Sequence, residues 1–132
     1  MGRMKKTSAP KPTGAELEIL GVLWQRGPST VRDVYTVLVR TRPVGYTTVL
    51  KLMQNMTDKG LVHRNESQRA HIYEAQAPRE ATQKQLVRDL LERAFSGSAP
   101  SLVMQALSAR HTSSEELAQI RELLDEYERG RR

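Results

Sequence analysis

Between positions 47 and 55, Thr47, Thr48, Lys51, Gln54 and Asn55 recur at the spacing of one helix face. Hydroxyls, amides and an ammonium are the groups that hydrogen-bond phosphates and base edges. A solvated helix face usually carries more Glu and Lys. Here Lys51 is the one formal charge until Asp58. Lys51 suits a phosphate. Asn55 suits either a bidentate contact with adenine or plain solvent. Thr47 and Thr48 serve either a ligand or the helix start, whose free N–H groups can themselves take a phosphate. Leu50, apolar on the same face, either meets a thymine methyl or extends the core.

No competing chemistry is visible. The chain has no phosphate loop, no G-x-S-x-G and no H-E-x-x-H. It has no cysteine, which excludes disulfides, thiolate metal sites and a cysteine nucleophile. His63, His71 and His111 lack metal-ligand spacing and read as surface residues. The expectation is a non-enzyme with no cofactor and no metal. No apolar run reaches the length of a membrane span, and the N-terminus lacks the apolar region of a signal peptide. A cytoplasmic location is expected.

The charge is distributed unevenly along the 132 residues. Residues 1–76 hold 12 Lys/Arg against 6 Asp/Glu, whereas residues 77–132 hold 9 of each, so the net +6 lies entirely in the first part. That points to a polyanion partner for this part, or to a basic surface kept for solubility.

The elements that would position the polar face follow from caps and periodicity. Residues 1–12, basic and with two prolines, read as a disordered arm. A first helix starts at Thr13, with Glu16 at capping-box spacing, and stops at Gly27-Pro28. A second starts near Ser29-Thr30 with Asp33 at the same spacing; Pro43 forbids its extension, and Thr41–Gly45 makes the turn. The third runs from about Tyr46 to Lys59, with Val49, Leu52, Met53 and Met56 inward and Gly60 as its C-cap. Leu61–Arg64 and His71–Ala75 read as a hairpin with Arg64 and Arg69 at its tip.

Past Pro78, a fourth helix covers about residues 79–95, and residues 96–100 break it. Ser101–Ser108 is a short helix, and Ser113 or Ser114 caps a last one with the stripe Leu117, Ile120, Leu124 and Tyr127, flanked by Leu123. Trp24, Met53, Met56 and Met104 are expected in the core. Glu115, Glu116, Asp125, Glu126 and Glu128 are expected on a solvated face.

Three helices followed by a hairpin is the order of a winged helix-turn-helix, whose third helix enters the major groove while the hairpin lies on the backbone. The expected fold is mainly α with a small β-hairpin. A winged-helix DNA-binding domain at residues 13–77 precedes a helical dimerisation domain at 78–132, with Leu86, Leu90, Leu117, Ile120, Leu124 and Tyr127 as dimer contacts. Two-fold symmetry would match a palindromic site.

On these residues the sequence resembles the BlaI/MecI (penicillinase repressor) family of bacterial transcriptional regulators. The resemblance is carried by Gly45-Tyr-Thr-Thr-Val49, Met53-Gln-Asn-Met-Thr-Asp-Lys-Gly-Leu-Val62 and Arg69-Ala-His-Ile-Tyr73. Glu16-Leu-Glu-Ile-Leu20, Val22-Leu-Trp24, Phe95-Ser-Gly and Ser101-Leu-Val103 continue it, over about residues 13–128. The resemblance implies a homodimeric repressor on a palindromic operator. It implies operator contacts at Tyr46, Thr47, Thr48, Leu50, Lys51 and Asn55, and wing contacts at Arg64, Arg69 and His71.

Two departures stand out. Members cut by a sensor protease carry an Asn-Phe pair where this chain has Gln105-Ala106, and copper-responsive relatives carry C-terminal cysteines that are absent here. The missing cysteines exclude the copper-thiolate switch, while the missing pair leaves open whether an unidentified sensor protease inactivates this chain. The alternative to a repressor is a winged-helix module that binds protein without specific DNA binding; a small RNA-binding or architectural protein is a weaker third reading.

Overall fold

The computed structural model describes residues 11–130. Its elements are α1 (Gly14–Arg26), α2 (Val31–Leu38), α3 (Tyr46–Lys59), β1 (Val62–Asn65), β2 (Ile72–Ala75), α4 (Arg79–Arg93), α5 (Ala99–Ala109) and α6 (Ser114–Gly130). The chain divides into two units within α4, between Leu86 and Val87. The disordered arm expected at residues 1–12 lies outside the described residues as far as position 10; beyond it, Pro12 is buried.

Side chains set the helix starts of the first unit. Thr13 and Thr30 each accept from the backbone of the residue three on, and Glu16 and Asp33 each accept from the capping residue's amide. Both capping boxes thus satisfy N–H groups that the helices themselves leave free. Gly60 ends α3 in the left-handed region at φ 81°, where a side chain would be strained. α2 stops at Leu38, short of Pro43. Its last turn tightens instead, as the Arg40 amide donates to the Val37 carbonyl and the Thr41 hydroxyl takes the Leu38 carbonyl.

The core is the meeting of three helix stripes and the hairpin. Ile19 and Leu20 from α1, Val34 and Leu38 from α2, and Val49, Met53 and Met56 from α3 close over Val62 and Tyr73. Each such side chain contributes about 1.5–3 kcal/mol on burial. β1 and β2 pair antiparallel with Val62 opposite Ala75 and Arg64 opposite Tyr73. A third short strand-like segment joins them: buried Ser29 exchanges both backbone hydrogen bonds with Tyr73, at 3.0 and 2.8 Å. This ties the α1–α2 junction to the wing. The architecture is a winged helix.

α4 is attached to this unit at its start. The Trp24 indole donates to the Ala77 carbonyl at 2.9 Å, and the Arg79 guanidinium lies 5.9 Å from the Trp24 ring centroid. Trp24 is thus half-buried at the core edge.

In the second unit α5 differs from expectation. It begins at Ala99, because Ser98 caps it and Pro100 occupies the first turn, where a missing N–H costs nothing. Ser113 caps α6 through a reciprocal pair with Glu116. Neither α5 nor α6 has a buried residue. Met104, expected in the core, is 63% exposed, because no apolar layer of its own unit covers α5.

One buried ion pair joins the first helix to the end of the third. Glu16, 3% exposed, accepts from the Lys59 ammonium at 2.7 Å and from the Thr13 amide at 2.9 Å. Burial pushes its carboxyl up, but Lys59 and the Thr13 bonds outweigh that and hold it below the usual glutamate range. Folding therefore stabilises the ionised form: the contribution is present above the unfolded value and fades as pH falls through the folded one. Glu16→Gln is expected to cost about 1–3 kcal/mol in urea unfolding at neutral pH, and less near pH 3. An equal cost at both pH values would show that the carboxylate charge is not what Glu16 supplies.

Candidate nucleic-acid interface

α3 has two sharply different faces. Val49, Met53 and Met56 are fully buried, while Thr47, Thr48, Lys51, Gln54 and Asn55 are all exposed. A helix fixed by three buried side chains cannot rotate, so the five polar residues share one outward surface. Leu50 is half-buried and packs against the core margin. It also lines a groove of about 520 Å³ between the start of α2, the first half of α3 and the wing.

Tyr46, the first residue of α3, is 36% exposed and engaged on two sides. Its ring meets Tyr35 of α2 edge-on, with centroids 5.7 Å apart, and the Arg32 guanidinium lies 4.9 Å from its centroid. The start of α3 has no side-chain cap and no acidic residue in its first turn. Its free N–H groups and dipole leave that end electropositive.

The wing separates two arginines that the sequence alone puts side by side. Arg69 and His71 are exposed on the connection between the strands. Arg64 is not at the tip. It lies within β1, half-buried opposite Tyr73, with its guanidinium donating to Glu66 at 2.6 Å. Tyr73 and Glu66 together hold its pKa further up. His63 pairs across the strands with Glu74 at 2.9 Å.

The ion pairs sort the basic side chains of residues 13–77. Arg26 pairs with Asp33, Arg42 with Glu18, Lys59 with Glu16 and Arg64 with Glu66. Among the described residues, Arg32, Arg40, Lys51 and Arg69 have no carboxylate within ion-pair distance. These four lie on α2, on the turn after it, on α3 and on the wing. The acids thus neutralise Arg26, Arg42, Lys59 and Arg64, and the cations left unpaired in this stretch are exposed ones on α2, the turn after it, α3 and the wing.

Arg32 is absent from the residues that sequence reasoning brings forward. Its ring partner is 14 positions away, beyond any periodicity. One sequence cue exists: a cation in the first turn of a helix opposes the dipole.

The residues expected at a dimer contact lie on α4 and α6. Leu86, Leu117 and Ile120 are half-buried, whereas Leu90, Leu124 and Tyr127 are 47, 59 and 67% exposed. Among the described residues no three His, Asp or Glu side chains converge as a metal site, and no helix is long and apolar enough to cross a membrane.

Comparison with known proteins gives consistent matches. Residues 12–126 match the family model described as penicillinase repressor. The chain is 32% identical over 117 residues to the transcriptional regulator BlaI of Mycobacterium tuberculosis, covering 87% of this chain and 83% of that protein. It is 23% identical over 124 residues to the penicillinase repressor of Bacillus licheniformis, covering 94% and 95% respectively. Among solved structures, the solution structure of the DNA binding domain of the repressor BlaI matches with 24% identity and a TM-score of 0.49, over 58% of this chain and 90% of that one.

The charge partition has a direct consequence for polyanions. Lys51→Gln and Arg69→Gln should each elute from a heparin column at clearly lower salt than the parent, and Arg42→Gln and Arg64→Gln should shift less. Equal shifts for all four would mean that only total charge matters.

Proposed function

Because the chain belongs to the penicillinase repressor family, a family of transcriptional repressors rather than enzymes, we propose that it acts as a homodimeric, sequence-specific DNA-binding repressor. The observation that carries this reading is the outward face of α3: five polar side chains, one of them the unpaired Lys51, beside a wing whose Arg69 is also unpaired.

In this reading α3 enters the major groove. Lys51 holds a phosphate, and Asn55 and Gln54 meet base edges. Thr47 and Thr48 bind near the electropositive start of α3, Leu50 faces a thymine methyl, and Arg69 and His71 follow the backbone from the wing. Tyr46 borders the contact through its exposed edge. Arg64, already engaged by Glu66, contributes less than its place in the hairpin implies.

The dimer rests on the second unit. A unit with no buried side chain on α5 or α6, and with Leu90, Leu123, Leu124 and Tyr127 between 47 and 67% exposed, lacks a core of its own. A second copy supplies the missing layer, using Leu86, Leu90, Leu117, Ile120, Leu124 and Tyr127. Two heads related by a two-fold axis then read a palindrome, with half-sites about 34–36 Å apart or a multiple of that. Repression follows by occlusion of the promoter.

Selection of bound duplexes from a random library at about 150 mM salt should yield a two-fold symmetric motif. Lys51→Ala should weaken binding to all sequences alike, and Asn55→Ala should lose about 1–3 kcal/mol of discrimination at one base pair per half-site. Leu124→Glu should sediment as a monomer and lose the symmetric footprint. No enriched motif from a folded dimer would turn the assignment towards a protein-binding module.

A further inference from the structure

We propose that Arg32, at the start of α2, is a phosphate-contacting residue for duplex DNA, with Tyr46 as the positioning residue that presents its guanidinium. This rests on the DNA-binding reading above and adds a second helix to the contact.

Three observations converge on Arg32. It is exposed and has no carboxylate partner among the described residues. Its guanidinium is nonetheless held in place, 4.9 Å from the Tyr46 ring centroid, and that ring is in turn braced edge-on by Tyr35. Its position is also unfavourable for the helix. Arg32 is the second residue of α2, where the dipole favours an acid. A cation there, stacked and unneutralised, weakens α2 and awaits an anion.

The surroundings define which anion. Arg32 and Tyr46 line the same groove as Leu50, Arg69 and His71. Arg69 and His71 approach it from the wing, and Leu50 from the recognition helix. Asp33 also lines the groove, but its carboxylate is taken by the Thr30 amide at 3.0 Å and by Arg26 at 3.4 Å. The groove therefore presents arginine from both α2 and the wing, next to the polar face of α3. A duplex backbone crossing the start of α2 while α3 lies in the major groove supplies a phosphate there. A planar guanidinium stacked on an aromatic ring keeps its edge N–H groups for phosphate oxygens.

The test is fluorescence anisotropy with two duplexes of about 30 base pairs, one carrying the selected motif and one of random sequence, between about 50 and 200 mM salt. Arg32→Ala should weaken both by the same factor, roughly three- to tenfold at about 150 mM, and should reduce the slope of log K against log salt by about 0.9 per bound protomer. Arg32→Lys should keep the slope and lose part of the affinity. Tyr46→Leu should reproduce most of the Arg32→Ala loss, and adding Arg32→Ala to it should cost less than about twofold.

An unchanged slope in Arg32→Ala, with the circular dichroism of the parent, overturns the phosphate contact. A loss confined to the motif duplex overturns it in favour of base reading. Fully additive losses overturn the positioning role of Tyr46. If the parent protein binds neither duplex, the DNA-binding reading itself falls; if it binds both and Arg32→Ala is unaffected, only this inference does.

Discussion

Complete burial of Val49, Met53 and Met56 is the constraint on which the interface depends. Positions 49, 53 and 56 lie on one side of a 14-residue helix, and close packing leaves no freedom to roll it. Once they are in the core, the opposite face is fixed as Thr47, Thr48, Lys51, Gln54 and Asn55. In the proposed reading, the precision needed for base edges thus comes from side chains that never touch DNA. The same constraint explains why α3 is held at both ends. Tyr46 packs on Tyr35 at its start, and Lys59 is bound to buried Glu16 at its finish.

The electrostatics follow from the division of labour among few acids. Residues 1–76 contain 6 Asp/Glu. Glu16, Glu18, Asp33, Glu66 and Glu74 are each spent on a partner that holds elements together: α1 to α3, α1 to the turn after α2, the α1–α2 junction, and the wing to itself. The sixth, Asp58, sits in the last turn of α3, and among the described residues no carboxylate lies within ion-pair distance of Arg32, Arg40, Lys51 or Arg69. Exposed pairs such as Arg42–Glu18 are each worth little in stability. Their larger effect is on the field, because within residues 13–77 they leave Arg32, Arg40, Lys51 and Arg69 as the unpaired positive charges.

Much of this was legible because the signals are local. The capping pairs Thr13–Glu16 and Thr30–Asp33 lie three residues apart, Gly60 answers a left-handed cap, and Ile72 and Tyr73 are strand-favouring residues. The polar face of α3 follows from helical spacing alone. What stayed hidden depends on tertiary partners. Arg64 reads as a wing-tip cation, but its strand register places it opposite Tyr73 and within reach of Glu66. Met104 reads as core from its apolar neighbours, yet it is exposed, because hydrophobicity says that a surface must be covered and not by which chain. The Arg32–Tyr46 stack joins two helices across a turn, which no periodicity reports.

The second unit turns that last point into a mechanism. Its helices have ordinary caps and apolar stripes, yet nothing in α5 or α6 is buried, so local signals suffice to form the helices and not to stabilise their packing. In the proposed dimer such a unit gains its stability by association, and association is what a two-fold operator would require. The head differs: its core is complete within one chain, from Ile19 to Tyr73. Folding of the head is therefore independent of assembly, whereas the proposed assembly would depend on concentration. Occupancy of a palindrome by the proposed dimer would rise more steeply with its concentration than a single head would allow. In that reading the steepness comes from the exposed leucines of α4 and α6 rather than from any residue on the outward face of α3.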